Sequence, residues 1–165
     1  MIDIIGDVET IREVYHLQAT PEDFDNSLSA LYGAGLAVSP HIVIGLHYGK
    51  IIGESAALDI VAKYPVKALI LVIITPLHQT KMENIAPPSV EEIRSFFIEA
   101  RKKMGDRQII VGCARPMGPM RKAIDSAAIE AGIDGIAYPS AEVAEKLAHE
   151  HRCETRYVEK CCSMI

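Results

Sequence analysis

The chain has 165 residues, which is enough for one domain with a sizeable hydrophobic core. Hydrophobic residues make up 49% of it and charged residues 24%, a composition typical of water-soluble globular proteins. Its formal net charge of -5, with no cluster of basic residues, argues against a binding surface for nucleic acid or for an anionic membrane.

The sequence also bears on where the protein works. Its longest apolar run, residues 68–74, is far too short to cross a bilayer. No basic segment followed by an apolar stretch opens the sequence, so we expect a cytoplasmic protein without a signal peptide. The four cysteines form no CxxC pair and no zinc-finger spacing, and thiols in the cytoplasm are mostly reduced.

Five short runs rich in Ile, Val and Leu predict β-strands. They cover residues 2–5, 42–46, 68–75, 108–112 and 135–138. Each is a continuous apolar run rather than an alternation of apolar and polar residues. That pattern is typical of strands buried on both faces of a parallel sheet.

Helices are predicted between these strands from the residues that mark their ends. Thr20 followed by Pro21 starts one helix, and Ser89 opens a capping box that starts another. Ser140 is the predicted N-cap of the last helix. Weaker helical patterns cover residues 10–17, 55–63 and 120–131.

The predicted elements make about five βα units with no linker or low-complexity segment between them. Repeated βα units predict an α/β protein with a parallel sheet and right-handed crossovers. Two architectures fit this order. One is an open, doubly wound sheet, and the other is part of a TIM-type (β/α)8 barrel, which normally needs about 250 residues. Periodicity leaves both open.

Ligands bind at the carboxyl ends of the strands in both architectures, so the residues that follow each strand are the candidates for a site. Asp7 follows the first strand, and its carboxylate could accept the hydroxyl protons of a ribose or could cap the next helix. His47 follows the second strand within the glycine-rich residues 41–54. It is a candidate acid–base group, or else a packed or solvated histidine.

Two further candidates follow the fourth strand. Arg115 could bind a carboxylate through two hydrogen bonds. Cys113 could be a nucleophile, a metal ligand or a small buried apolar residue. The sequence leaves these roles of Cys113 open.

Histidine and cysteine crowd the C-terminus, at His149, His151, Cys153, Cys161 and Cys162. Such side chains could bind a soft metal ion, but their spacing matches no standard pattern. A frayed terminal segment is the alternative. No metal site is therefore predicted.

The order of motifs resembles the biotin-synthase-like radical S-adenosylmethionine family. Residues 41–54 have a GxIxGxxE-like pattern that is similar to the fifth-strand motif of that family. Residues 75–80 resemble its sixth-strand turn, with Gln79 where a glycine is usual. Residues 99–101, 109–115 and 131–136 resemble its last two strands. The ending at residues 161–163 resembles that of uncharacterised biotin synthase homologues, so the resemblance covers nearly the whole chain.

The resemblance implies that the chain is the C-terminal half of the family's barrel and assigns roles to particular residues. The implied contacts to S-adenosylmethionine are Asp7 at the ribose, Ile44, Gly45 and Leu46 on the adenine side, and Leu77 and Thr80 in the turn that borders adenine. The candidate catalytic residues are Cys113, Arg115 and His47.

The chain departs from the family in one decisive way. The CxxxCxxC motif that holds the family's [4Fe-4S] cluster is absent, and so is the Gly-Gly-Glu turn that binds the methionyl amine. Without three thiolates the cluster is not held, and without the cluster S-adenosylmethionine is not reductively cleaved. We therefore expect weak S-adenosylmethionine binding, and a [4Fe-4S] cluster only from a partner chain.

Three hypotheses follow. The first is a radical S-adenosylmethionine half-barrel or split subunit, active only with the missing N-terminal half. The second is a non-enzymatic, oligomerising half-barrel that at most binds a nucleotide-like ligand. The third is an ordinary open α/β sheet. Open sheet edges and an exposed inner barrel face predict either a homo-oligomer or pairing with a separate N-terminal half.

Overall fold

The computed structural model describes residues 1–149 and 156–162 and contains one five-stranded sheet. Every neighbouring pair of strands is parallel, and the strands lie in the order in which they occur in the sequence. The strands are β1 (Ile2–Asp3), β2 (Pro40–Ile44), β3 (Ala68–Ile73), β4 (Gln108–Val111) and β5 (Gly135–Ile136).

Six helices alternate with these strands in the described residues. They are α1 (Val8–Glu13), α2 (Pro21–Gly33), α3 (Glu54–Ala62), α4 (Val90–Met104), α5 (Pro119–Glu130) and α6 (Ala141–His149). The capping box predicted at Ser89 is present, with Glu92 as its second member. Ser140 precedes α6 as predicted, but its buried hydroxyl makes no hydrogen bond within the described residues.

The strand order rules out one of the two predicted architectures, the doubly wound sheet. A doubly wound sheet would place an early strand out of sequence, and the sequential order found across the described residues excludes it. Neighbouring helices contact one another in chain order from α2 to α6. Because parallel crossovers are right-handed, sequential strands place these helices on one face of the sheet. The chain is therefore an α/β protein wound in one direction.

The larger hydrophobic core lies between the sheet and the helices. Alternate residues of β3, such as Leu69 and Leu71, are fully buried there against Phe97 of α4. Burying one such side chain contributes about 1.5–3 kcal/mol. This layer explains why the strands have apolar side chains on their helix-facing side.

The opposite, helix-free face of the sheet has a smaller core. Its centre is formed by Ala68, Ile70 and Ile110, and Cys162 from the end of the chain packs against them. A frayed terminus would leave Cys162 exposed, whereas its exposed fraction is 8%. The frayed-terminus alternative is therefore wrong for Cys162. His151, Cys153 and the side chain of His149 lie outside the described residues.

The predicted strands are correct in number and place but extend too far at their carboxyl ends. The first run was expected to include Ile4 and Ile5, which are both buried although β1 ends at Asp3. Ile4 and Ile5 continue the apolar run past β1 because the segment that follows this strand is buried as well, whereas Tyr138 after β5 is 77% exposed. The start of β2 at Pro40 was missed, since proline has no N–H to donate within a sheet.

Candidate functional site

A cavity of about 330 Å³ opens at the carboxyl ends of β1, β2 and β3. This volume lies at the lower end of the range of small-molecule sites. Its walls come from three connections that follow these strands, and they include Glu13, His16, Tyr48, Thr75, Leu77 and Thr80. The cavity is therefore placed where parallel α/β proteins bind ligands.

Backbone strain is concentrated around this cavity. Four residues other than glycine have a positive φ in the described part of the chain. His16 (φ 55°) and Tyr48 (φ 50°) line the cavity, and Gln79 (φ 62°) lies between the lining residues Leu77 and Thr80. Each such residue costs about 1–3 kcal/mol and is typical of ligand sites. The strain is an indication of function that is independent of the cavity itself.

The wall of the cavity that follows β3 contains a turn, residues 77–82, which is held by hydrogen bonds within the turn itself. The Thr80 hydroxyl donates to the Leu77 carbonyl at 2.7 Å and accepts from the Met82 N–H at 3.2 Å. The Leu77 side chain is 66% exposed, so it is free to cover an apolar ligand. The structure thus places Leu77 and Thr80 together at the cavity, and their contact with a cofactor stays a prediction.

A second, narrower cleft lies beside the cavity and contains Asp7, Leu46 and His47. Asp7 is the N-cap of α1, because its Oδ2 accepts from the Thr10 N–H at 2.7 Å. The capping role proposed for Asp7 is therefore confirmed. No hydrogen bond occupies Asp7 Oδ1 within the described residues, so the ribose role stays a prediction.

Thr10 links Asp7 to His47. The Thr10 hydroxyl is 2.8 Å from Asp7 Oδ2 and 3.2 Å from His47 Nδ1. A carboxylate only accepts, so the single hydroxyl proton of Thr10 is donated to Asp7. The contact with His47 is then an Nδ1–H donated to Thr10, which leaves Nε2 as the unprotonated nitrogen of the neutral ring. His47 is thereby set up as a base or ligand through Nε2.

Glu54 explains the shape of the loop that carries His47. Its carboxylate is buried and accepts from the Gly45 N–H at 2.7 Å and from the Gly53 N–H at 3.0 Å. Gly45 has φ 79°, and a Cβ there would lie 2.5 Å from the Pro88 ring. Packing and backbone conformation therefore require this glycine. The Ile44 side chain lies in the helix-facing core and lines neither the cavity nor the cleft.

The carboxyl ends of β4 and β5 are built differently, around the buried Arg115. Its exposed fraction is 2%, and its Nε donates to Asp125 Oδ1 at 2.8 Å. The guanidinium also donates to the carbonyls of Gly112 and Ala137, both at 2.8 Å, and of Tyr138 at 3.0 Å. Four of its five N–H groups are used in this way.

Asp125 completes that network. It is fully buried, and its second oxygen accepts from the Ser140 N–H at 2.7 Å. One carboxylate therefore ties the β4 loop to the start of α6. Arg115 was expected to bind a carboxylate through two hydrogen bonds; it donates only one, from Nε, and the carboxylate belongs to Asp125 of the protein itself. Its proposed contact with a substrate has no support in this geometry.

Cys113 lies on the other side of the same strand end and is exposed, so the buried alternative for Cys113 is wrong. Burial raises the pKa of the Cys162 thiol, and the backbone N–H of Cys113 partly opposes the effect. The Cys113 backbone therefore affects the Cys162 thiol, although these two residues are far apart in the sequence.

The predicted site residues do not form one group. Asp7, Leu46 and His47 line the cleft, Leu77 and Thr80 line the cavity, and Cys113 is exposed outside both. Sequence reasoning missed Thr10, Glu54 and Asp125. Asp125 lies on the buried face of α5 with Ile124, Ala127 and Ala128, and a carboxylate on such a face indicates a buried cation.

The metal-ligating side chains of residues 1–149 and 156–162 do not form a cluster. No group of three or more His, Cys, Asp or Glu side chains there is arranged to hold a metal ion. With the CxxxCxxC motif missing from the sequence as well, the residues present do not fit a [4Fe-4S] cluster. None of the helices described has the length and apolar character needed to span a bilayer.

No protein-family model matches this sequence, and no curated protein is similar to it.

Proposed function

We propose that this chain is the C-terminal half of a radical S-adenosylmethionine-type barrel, a split subunit that binds the nucleoside part of the cofactor at the carboxyl ends of β1 to β3. The observation that carries the proposal is the sequential, one-directional sheet with a strained cavity at those ends. A TIM-type barrel has this strand order and keeps its helices on the outside.

The helix-free face supports the barrel interpretation. Ala68, Ile70 and Ile110 are apolar on the side that would be the barrel interior. Barrel interiors are filled with such side chains. A second polypeptide that supplies the missing strands would cover this face, and it would also have to supply the cluster and the methionyl anchor.

The role of this chain is then to bind and orient the nucleoside. The nucleoside would span the cavity and the neighbouring cleft: Leu77 covers the base in the cavity, Thr80 holds the turn, and Asp7 offers Oδ1 to the ribose from the cleft. S-adenosylmethionine supplies a reactive sulfonium when it is bound, but the chain's own residues do not hold the cluster that would reduce it. His47 Nε2, held by Thr10, is the group of this chain that could accept a proton near the ligand.

Calorimetry with S-adenosylmethionine tests the ligand. We expect millimolar binding, about -4 kcal/mol, because the amine and carboxylate anchors are missing. Asp7→Ser should abolish the heat, since serine keeps the helix cap but not the ribose contact. Glu22→Ser on α2, away from the cleft, is the control. Undiminished binding by Asp7→Ser would refute the ribose assignment, and no heat with the wild type would refute the ligand.

The packing of Cys162 favours a second candidate, a non-enzymatic half-barrel that completes its own core. In that case the C-terminal segment replaces the partner. Deleting residues 156–165 distinguishes the two. A split subunit should keep its stability to urea after the deletion. Its mass in light scattering should rise, because the helix-free face of the sheet becomes exposed and can associate with another chain. A self-sufficient half-barrel should lose stability on the same deletion.

A further inference from the structure

One wall of the cavity belongs to the long connection from β3 to α4, residues 74–89. Connections longer than about 12–15 residues are usually functional. The base of this one packs against the loop that follows β2, where a Cβ on Gly49 would lie 2.1 Å from the Ala86 carbonyl oxygen. The turn at residues 77–82 is mostly exposed. Packing therefore holds the base of the connection, whereas the turn depends on its hydrogen bonds.

Glu83, directly after this turn, is hydrogen-bonded back to it through its side chain and its backbone. Its Oε2 accepts from the Gln79 N–H at 2.8 Å, and its own N–H donates to the Thr80 carbonyl at 3.2 Å. The same Oε2 lies 3.1 Å from Nδ1 of His78, whose side chain is 87% exposed. Exposed pairs of that kind contribute little. The bond to the Gln79 N–H is therefore the side-chain contact that can fix the backbone of the turn.

Gln79 needs such a bond because its backbone is strained. Its φ of 62° lies in the left-handed region, which is unfavourable for a residue with a side chain but not for glycine. Without a bond that stabilises this conformation, a glutamine spends most of its time in other conformations. Leu77 and Thr80 line the cavity on either side of Gln79, so the direction of its backbone determines where both of them lie.

We propose that Glu83 is a positioning residue for the cavity. It holds Gln79 in the left-handed conformation, and this conformation places Leu77 and Thr80 against the ligand. Neither Glu83 nor Gln79 lines the cavity, so Glu83 acts through the turn and not by touching the ligand. A ligand binds only the molecules whose turn is formed, so its apparent dissociation constant rises as their fraction falls. The identity of the ligand rests on the proposed function, whereas the conformation of the turn is measurable without a ligand.

Three substitutions separate the hydrogen bond from the charge of Glu83. Glu83→Ala removes the acceptor of the Gln79 N–H and should weaken ligand binding about threefold to tenfold, as expected for the loss of a side-chain bond to the backbone. Glu83→Gln keeps an oxygen that can accept from this N–H, so binding should stay within about twofold of the wild type. His78→Gln should also stay within about twofold, because its pair with Glu83 is exposed.

A second substitution at Gln79 distinguishes positioning from a general loss of stability. Glycine adopts a positive φ about as readily as a negative one, so a glycine at this position depends less on Glu83. Adding Gln79→Gly to Glu83→Ala should therefore recover at least about half of the affinity that Glu83→Ala loses. If Glu83 were only a stabilising surface residue, the second substitution would restore nothing.

Nuclear magnetic resonance of the full chain tests both parts. Chemical-shift titration with S-adenosylmethionine measures binding, and the order parameter of the Gln79 amide reports the turn without a ligand. In Glu83→Ala this order parameter should fall from about 0.85, typical of a rigid backbone, to below about 0.6. The matched control is Glu91→Ala, an exposed glutamate of α4 that is 3.7 Å from Arg94. It should change neither measurement, and urea unfolding should confirm that all variants are folded.

Two results would overturn the role of Glu83. One is an order parameter at Gln79 that does not change in Glu83→Ala, and the other is wild-type affinity in a Glu83→Ala chain whose turn has become mobile. Failure of Gln79→Gly to restore binding would contradict positioning as well. Absence of any shift with S-adenosylmethionine in the wild type would refute the proposed ligand instead. The order parameter would then still decide whether Glu83 holds the turn.

Discussion

The carboxyl ends of β1 to β3 and those of β4 and β5 occupy equivalent places in one sheet, yet they are built in opposite ways. At the first group of strand ends the loops leave a cavity, and His16 and Tyr48 hold a strained backbone beside it. At the second group, Arg115 and Asp125 fill the space between the loops and bond to their backbone.

This comparison shows that the loops at the carboxyl ends of parallel strands can be built either around an open cavity or around a buried ion pair that makes them rigid. The buried Arg115 uses four of its five N–H groups on Asp125 and on backbone carbonyls, which leaves little hydrogen-bonding capacity for a ligand. An open cavity with strained residues keeps its polar groups available but depends on its surroundings to hold them. Structural support lies in the second half of the sheet, and the ligand binding that we propose belongs to the first half.

Removing Asp125 is expected to have the largest effect. Asp125→Ala leaves the guanidinium of Arg115 buried without a counter-ion, which typically costs 3–5 kcal/mol. Urea unfolding should report a loss of about that size. The control is Glu142→Ala, which breaks an exposed pair with Lys122 and should change stability by less than about 1 kcal/mol. Equal losses of unfolding free energy in Asp125→Ala and Glu142→Ala would show that the buried pair does not give the second half of the sheet its rigidity.

Glu54 tests the rigidity of the first half. Glu54→Gln replaces one accepting oxygen with an NH₂ group, so one of the two glycine N–H groups loses its acceptor. We expect a loss of about 1–3 kcal/mol, smaller than that of Asp125→Ala. Glu9→Gln on the exposed side of α1 is the control. If Glu54→Gln lowered the free energy of unfolding by more than Asp125→Ala, the first half of the sheet would depend more on its buried polar contacts than the second half does.

The smallest expected effect is a pH dependence at His41 on the helix-free face of β2. Burial lowers its pKa, opposed by its bond to the Ser39 carbonyl and by the charge of Asp3, while the N-terminal amine lowers it slightly. The unfolded chain therefore binds more protons near the ordinary histidine pKa of about 6.5. Stability that is present above that pH should fall as the pH drops through it.

Urea unfolding between about pH 5 and pH 8, a window around the histidine pKa, measures the slope of the unfolding free energy against pH. His41→Gln should flatten it. His78→Gln, at an exposed loop of the first half, should leave it unchanged. A slope that survives His41→Gln would mean that another group of the sheet carries the pH dependence.

Much of the fold could be predicted from the sequence. The five apolar runs and the caps at Thr20 and Ser89 fixed the elements, because strand burial and helix ends depend on nearby residues. The strand order did not follow from periodicity, since the same βα units serve both architectures.

The candidate site was harder to predict because its partners are distant in the sequence. That Arg115 is satisfied by Asp125 depends on how α5 packs against β4. The role of Cys162 depends on where the end of the chain returns to the sheet. Asp7 was predicted correctly as a cap, because the group it binds is only three residues away.

The two outer strands of the sheet have a consequence for assembly. β1 and β5 are each two residues long, whereas the central β3 has six. Another strand added at either edge of the sheet could pair with only about two residues. Such short edge strands disfavour the open-ended association of many chains through their sheet edges. Any polypeptide that joins this one must then be selected by side chains that fit the face of the sheet.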